Sequence, residues 1–274
     1  MNVSQAIQHA EHIKQISDTP LKDIQLILSY ILNISLSTVI AYPEYQLNKS
    51  QQKTFYSLLK LRQQAMPMAY ILHTANFWSL DLYVDDNCLI PRPETEILVE
   101  QVIHQHHNKR TKLLELGTGS GAISIAIAIE KKSWDITAID NSCKALEIAK
   151  TNALTHKLHN ISFMHSDWFA AVSDKFDIIV ANPPYIAAYD EHLPNLQYEP
   201  QAALVADNNG LADLEHIISN SKNYLSPGGY LYLEHGCTQA QQVTCMLEKS
   251  NFLDVITLAD LDNNPRISYG MMPS

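Results

Sequence analysis

"LLELGTGSGAISIAIA", residues 113–128, runs an apolar strand pattern into Gly117, Gly119 and Gly121 and then directly into an apolar helical stretch. Glycines at a strand-to-helix turn let the backbone approach a ligand closely, and the free N–H groups of the helix N-terminus face that ligand. Asp140 closes the next apolar run, "WDITAID", about 20 residues further on, where a carboxylate can accept both hydroxyls of a ribose. Together they point to a nucleoside-containing cofactor.

Outward from this unit the pattern repeats. "ISFMHS", "FDIIVANPP", "GGYLYLEHG" and "FLDVITLAD" are short apolar runs separated by helical stretches, the signature of a doubly wound, Rossmann-like α/β domain with a mixed, mostly parallel sheet. The first 65 or so residues are different in kind and read as a small helical bundle. Thr19 is placed to cap a helix with Pro20 in its first turn, and Ile24, Ile27, Leu28 and Ile31 share one face. Ser50 is placed to cap a second, with Phe55, Leu58, Leu59 and Arg62 at the same period. Between bundle and sheet, "AYILHTANFWSLDLYVDDNCLIPRPETE" predicts a β-hairpin with its turn signal at Asp85-Asp86-Asn87. Pro91 and Pro93 then keep Ile90 and Arg92 extended, as a stiff strap.

With 274 residues, 46% hydrophobic and 18% charged, the chain has a globular composition. Its formal net charge of −10 argues against wholesale attraction to nucleic acid or to an anionic membrane. The opening "MNVSQAIQHAEHIKQ" has neither a basic nor an apolar leader region, and no run approaches the ~20 apolar residues of a membrane span, so a cytoplasmic protein is expected. Cys88, Cys143, Cys237 and Cys245 are far apart without CxxC spacing, which indicates neither zinc nor a disulfide framework. His104, His106 and His107 cluster in "VIHQHHNKR" without Cys or carboxylate partners and read as a solvated helix end rather than a metal site.

Two cofactor classes fit the glycine loop. With Ala122 as the third small position it satisfies the dinucleotide pattern G-x-G-x-x-G/A, which leaves a nicotinamide oxidoreductase open. As E-L-G-T-G-S-G, with Glu115 in the strand end, it is similar to the first motif of S-adenosylmethionine-dependent methyltransferases. Asp167 and Trp168, in "HSDWFAA", end the third strand where an adenine would lie: the carboxylate suits its edge, and Trp168 or Phe169 its face.

Asn182-Pro183-Pro184-Tyr185 ends the fourth strand, beside the glycine loop if strand order reverses there. The Asn182 side-chain oxygen and the Pro183 carbonyl can accept the two N–H bonds of a planar, weakly nucleophilic nitrogen, and fixed acceptors stabilise the positive charge that grows on it during transfer. Neither Pro183 nor Pro184 has an N–H to compete. Tyr185 offers a face to the flat group and to a cationic methyl donor. Glu234 and His235 in "YLEHG" read as strand-end residues with a packing or supporting role.

Nearly the whole chain resembles the protein-(glutamine-N5) methyltransferases that modify peptide chain release factors, a family often called HemK or PrmC. The resemblance is carried by "PMAYIL", "FWSLDLYV", "LIPRPETEILVE", "LLELGTGSGAISIAIA", "ITAID", "SDWF", "NPPYI", "YEPQAAL", "LSPGGYLYLEHG" and "DLDNNPRISYG". It implies methyl transfer from S-adenosylmethionine, leaving S-adenosylhomocysteine and using no metal, to the glutamine of the Gly-Gly-Gln loop of bacterial release factors. The candidate cofactor-binding residues are Glu115, Gly117, Thr118, Gly119, Ser120, Gly121 and Asp140, with Asp167, Trp168 and Asn182 beyond them. The resemblance gives Asn182, Pro183, Pro184 and Tyr185 to the glutamine amide; Arg92 is expected to line the substrate channel or to pair with Glu94 or Glu96.

Three segments follow from it: a helical domain for protein recognition (1–69), a hairpin-and-strap linker (70–93) and a catalytic domain (94–274). Release factors are the expected partners, with no direct nucleic acid or membrane contact, and a monomer is expected. His73 stands where the family usually has glycine, Met66 precedes Pro67 where "GEP" is common, and "VADNNGL" replaces a glycine-richer loop. The rival readings are a nucleic acid N-methyltransferase acting on adenine N6 or guanine N2, since the same four residues suit a flipped base, and a noncatalytic nucleotide-binding module.

Overall fold

The computed structural model describes residues 1–107 and 110–274, and contacts divide the chain into two compact units, Met1–Thr74 and Ala75–Ser274. The first contains α1 (Val3–Ile7), α2 (Pro20–Leu32), α3 (Leu36–Ala41), α4 (Lys49–Gln63) and α5 (Met68–Leu72). Ile24, Ile27, Leu28 and Phe55 are fully buried in its core, and Ile31 and Leu58 pack on the rim. Arg62, at the end of the α4 stripe, reaches Asp23 of α2 (Nε to Oδ2, 2.7 Å), a pair largely shielded from water. Helix α4 is capped by Asn48, two residues before the expected Ser50. Asn48 accepts from the Gln51 N–H while the Gln51 side chain accepts from the Asn48 N–H, so a reciprocal capping box sets the start. Thr19 does occupy the position before Pro20, without a side-chain cap bond. His73 ends α5 in the left-handed region (φ 52°), the conformation glycine adopts without strain and the position where the resemblance leads one to expect glycine.

The second unit opens with a hairpin of β1 (Ala75–Phe77) and β2 (Leu80–Leu82). Its turn is Trp78-Ser79, not Asp85-Asp86-Asn87. Both turn residues have positive φ, 52° and 59°, as a two-residue hairpin of this hand requires. Neither is a residue that favours this conformation; tertiary bonds hold it, since Trp78 N donates to Glu96 Oε1 (2.8 Å) and its indole to Glu130 Oε1 (3.1 Å). The Asp85 signal is a separate turn, closed by Cys88 N to Asp85 O (3.2 Å). Arg92 is extended, as its proline neighbour dictates, and a tight turn over Pro93–Thr95 leads into α6 (Glu96–Gln105).

The sheet is built from β3 (Lys112–Leu116), β4 (Asp135–Asp140), β5 (Ile161–His165), β6 (Phe176–Ala181), β7 (Leu225–Glu234), β8 (Leu253–Ala259) and β9 (Pro265–Met271). Among the described residues these seven run in the order β5-β4-β3-β6-β7-β9-β8. The first five are mutually parallel, and β9 is antiparallel to both β7 and β8. The connecting helices are α7 (Ala122–Glu130), α8 (Cys143–Thr155), the short α9 (Asp207–Gly210), α10 (Ala212–Ser221) and α11 (Ala240–Lys249).

Alternation along β3 sends Leu113 to a core with α6 and α7, and Leu114 and Leu116 to a core with α10 and α11. Both faces are covered, so the strands read as continuous apolar runs. Helix α7 is buried from Ala122 through Ala128, and its sequence is accordingly apolar all round. His106, expected in solvent, instead packs edge-on to Trp134 and Tyr230 and meets the Tyr232 hydroxyl at 2.8 Å. Burial pushes its pKa down to about 4. Among the described residues no helix is long and apolar enough to cross a membrane, and no group of His, Cys, Asp or Glu could hold a metal ion.

Candidate active site

Strand order reverses at β3, which has β4 on one side and β6 on the other. The loops leaving the C-terminal ends of β3 and β6 are therefore neighbours, at the switch point where ligands bind in such sheets. Gly117, Gly119, Asp140, Trp168, Asn182 and Pro184 line one cleft there, with Ser142 and Ser166.

Gly117, Gly119 and Gly121 all have positive φ (69°, 55° and 85°). Two of them are required for different reasons. A Cβ on Gly121 would come within 2.9 Å of Ile125 Cδ1 and 3.2 Å of Ala149 Cβ, so its lack of a side chain lets α7 pack on α8. A Cβ on Gly119 would meet nothing within 4 Å, and this glycine keeps the backbone open to the cleft. Asp140 is held by two backbone donors, Gly119 N to Oδ2 and Ser142 N to Oδ1, both 2.8 Å. Its carboxylate thus ties the glycine loop to the start of α8 and presents its remaining lone pairs to the cleft. Burial, opposed by these bonds, leaves its pKa raised.

Glu115 is fully buried beneath the loop and accepts from the Thr118 hydroxyl (2.5 Å); burial pushes its pKa up to about 7. With Thr118, Ser120, Arg92, Thr95 and Asn182 it lines a smaller recess adjoining the glycines. Trp168 lies across the cleft from Gly117, to which a Cβ would stand 3.8 Å from its ring. Phe169 instead stacks on Tyr224 in the core (4.5 Å, 6°). Asp167 is exposed and does not line the cleft; Ser166 does, with its hydroxyl donating to Trp168 O (2.7 Å).

Asn182 stands between this cleft and a second cavity lined by Pro183, Tyr185, Arg92, Leu89 and Leu196. Its Nδ2 donates to Thr95 Oγ1 (3.2 Å), whose hydroxyl donates to Glu234 Oε2 (2.6 Å). Asn182 Oδ1 and the Pro183 carbonyl accept no hydrogen bond among the described residues. Tyr185 donates its hydroxyl to Glu234 Oε1 (3.3 Å). Glu234, 1% exposed at the end of β7, thereby bonds Tyr185 directly and Asn182 through Thr95, and burial pushes its pKa up to about 7. His235 points the other way, to Ser268 (2.8 Å).

Arg92 pairs with neither Glu94 nor Glu96. Its guanidinium meets Glu199, whose other oxygen accepts from Ile90 N (3.1 Å), so one buried carboxylate clasps two residues of the strap. Glu96 is already committed to the hairpin turn. Behind the turn, Gln239 Nε2 donates to Tyr185 O (3.0 Å), and a Cβ on Gly210 would stand 2.1 Å from that same oxygen. Asn208 and Asn209 precede Gly210 in left-handed conformations that asparagine tolerates, the means by which "VADNNGL" makes the turn with one glycine.

Thr95, Glu199, Gly210 and Gln239 were not among the residues expected at the site. "PRPETE" and "YEPQAAL" contain the first two, so the motifs carried a signal; nothing local marks the others.

A model of the methyltransferase domain matches residues 107–264, and one of the PrmC N-terminal domain matches residues 5–72. The release factor glutamine methyltransferase of Salmonella typhimurium is 42% identical over 257 residues, 93% of each chain. That of Escherichia coli is 38% identical over 259 residues, 93% of this chain and 94% of its own. Among solved structures, a methyltransferase from Pyrococcus furiosus aligns over 83% of this chain and 100% of its own with a TM-score of 0.55 at 15% identity. At that identity the likeness concerns the fold.

Proposed function

This chain belongs to the release factor glutamine methyltransferase family, and from that premise we propose that it methylates the side-chain amide nitrogen of the glutamine in the Gly-Gly-Gln loop of peptide chain release factors. S-Adenosylmethionine supplies the methyl group from its sulfonium centre. The residues present suit that molecule. The open backbone at Gly119 and the Asp140 carboxylate suit its ribose, Trp168 its adenine face, and Gly117 with the start of α7 its amino acid end. Glu115 and Thr118 support the loop from beneath, and Ser120 accepts from Asn152 at its backbone (2.9 Å). Asp167, exposed and away from the cleft lining, is given no contact in this reading.

The observation that carries the reading is the state of the Asn182 amide. Its nitrogen is committed to Thr95 and its oxygen is free. Asn182 Oδ1 and the Pro183 carbonyl accept the two N–H bonds of the incoming glutamine amide, directing the nitrogen's π face toward the cofactor cleft. Positive charge that develops on this nitrogen meets two acceptors already in position, which need no reorganisation. No strong general base is called for: as the nitrogen takes the methyl group and the sulfonium becomes a neutral thioether, one N–H proton turns acidic and leaves to water past the oxygen that held it. Pro183 and Pro184 contribute no competing donor, and the Tyr185 ring covers the flat group. Arg92, held by Glu199, borders the cavity through which the loop enters. The helical unit Met1–Thr74 contributes to holding the release factor.

The test incubates the protein with methyl-labelled S-adenosylmethionine and a release factor or its Gln→Ala loop variant, with DNA and RNA as controls. Label in the release factor alone is expected. Label in nucleic acid supports the rival N-methyltransferase reading instead.

A further inference from the structure

Sequence order hides a second use of Glu234. Its carboxylate is 139 positions from Thr95 and 49 from Tyr185, yet it accepts from both hydroxyls. A threonine hydroxyl has one proton. Once that proton is given to Glu234, Thr95 Oγ1 can only accept, and the group it accepts from is Asn182 Nδ2. The direction of donation along Asn182, Thr95 and Glu234 is thus fixed from its buried end.

We propose that Glu234 and Thr95 are positioning residues for the transfer: the Glu234 carboxylate orients the Thr95 hydroxyl, which in turn orients the Asn182 amide with its oxygen toward the substrate. This rests on the glutamine methyltransferase reading of the site. If Glu234 takes up a proton, it can donate to Thr95 Oγ1. Thr95 then donates to Asn182, whose amide turns its NH₂ toward the substrate's own N–H groups. Two donors face each other and the acceptor is lost. Tyr185 bonds the other oxygen, Oε1, which goes on accepting from its hydroxyl.

Glu234 is placed to change state near neutrality, since burial lifts its pKa to about 7. The charged and titratable groups facing it are Glu94 from the strap, Tyr185 from the loop after β6 and Arg266 from β9. Arg266, paired with Asp260 (3.0 Å), favours ionisation of Glu234 and Glu94 opposes it, and burial outweighs both.

Two readouts on the full-length protein test this. In the first, the Asn182 side-chain amide is followed by NMR in asparagine-labelled protein and identified by its absence in Asn182→Ala. Its signal is expected to titrate near pH 7 in the wild type and to lose that titration in Glu234→Gln, whose carbonyl keeps accepting from Thr95 at all pH values. In the second, Thr95→Val is expected to lower kcat by roughly tenfold, the worth of one lost hydrogen bond to a polar partner, with cofactor affinity unchanged and Thr95→Ser restoring turnover. An Asn182 signal indifferent to pH, or one that still titrates in Glu234→Gln, overturns the proposal, as does a Thr95→Ser variant no better than Thr95→Val. A titrating signal in a protein that leaves release factor unmethylated overturns the function and leaves the network standing. Methylation with no titration overturns the network alone.

Discussion

In the proposed transfer Asn182 acts through an oxygen left free and a nitrogen tethered to Thr95, so removing the side chain removes an acceptor without opening a core. Asn182→Ala is expected to keep its melting temperature while kcat falls by roughly a hundredfold, as when one fixed transition-state partner is lost; steady-state kinetics with a release factor checks this. Glu115 makes a different prediction. Its folded pKa, about 7, lies above the ordinary 4.5, so the folded protein holds a proton that the unfolded chain gives up. Its contribution to stability is fully present below pH 4.5 and is lost as pH rises to about 7. Glu115→Gln abolishes that loss, and its melting temperature relative to the wild type should rise between pH 4.5 and pH 8. The placement of Asn182, Pro183, Tyr185 and the glycines around the crevice was legible because each is a residue type with a local geometric meaning. The bonds of Thr95 and of Glu234, the latter expected in a packing or supporting role, were not, because their partners stand 87 and 49 positions away.

Short connections, more than helices or strands, bring these residues together. The turn Asn208-Asn209-Gly210 lies against the Tyr185 carbonyl so closely that a methyl group has no room, and Gln239, the residue before α11, closes the same gap. Gly210→Ala is therefore expected to displace the Asn-Pro-Pro-Tyr turn: turnover falls sharply, and thermal unfolding shifts downward as a backbone clash of this kind demands. Capping offers a milder check. Asn48→Ala should destabilise the protein by about 1 kcal/mol in urea titration, with Ser50→Ala changing little, because Asn48 holds the reciprocal bonds of α4. Apolar periodicity identified α2, α4 and the parallel strands, where burial follows the pattern directly. It misjudged the α4 start and the hairpin turn. Asn48 and Ser50 are both competent caps, and only the partner at Gln51 decides between them. Trp78 is held in its left-handed conformation by Glu96 and Glu130, with Ser79 completing the two-residue turn, which no local preference encodes.

Taken whole, the chain joins a helical unit to a sheet whose reversed strand order brings two loops together at one edge. The alternation of strands and helices made the doubly wound class readable, and the reversal was inferable once the glycine loop and the Asn-Pro-Pro-Tyr turn were taken to face a common ligand. The antiparallel β9, inserted between β7 and β8, is set by pairing partners rather than by composition. With a net charge of −10, binding to nucleic acid is electrostatically disfavoured, so affinity for RNA should be weak and fall further with salt, as filter binding at two ionic strengths would read. The most direct measurement is mass spectrometry of a release factor after reaction with S-adenosylmethionine and this protein. A single added methyl group is expected on the glutamine of the Gly-Gly-Gln loop, absent with Asn182→Ala. A methyl group on any other residue, or equal labelling of the Gln→Ala release factor, would contradict it.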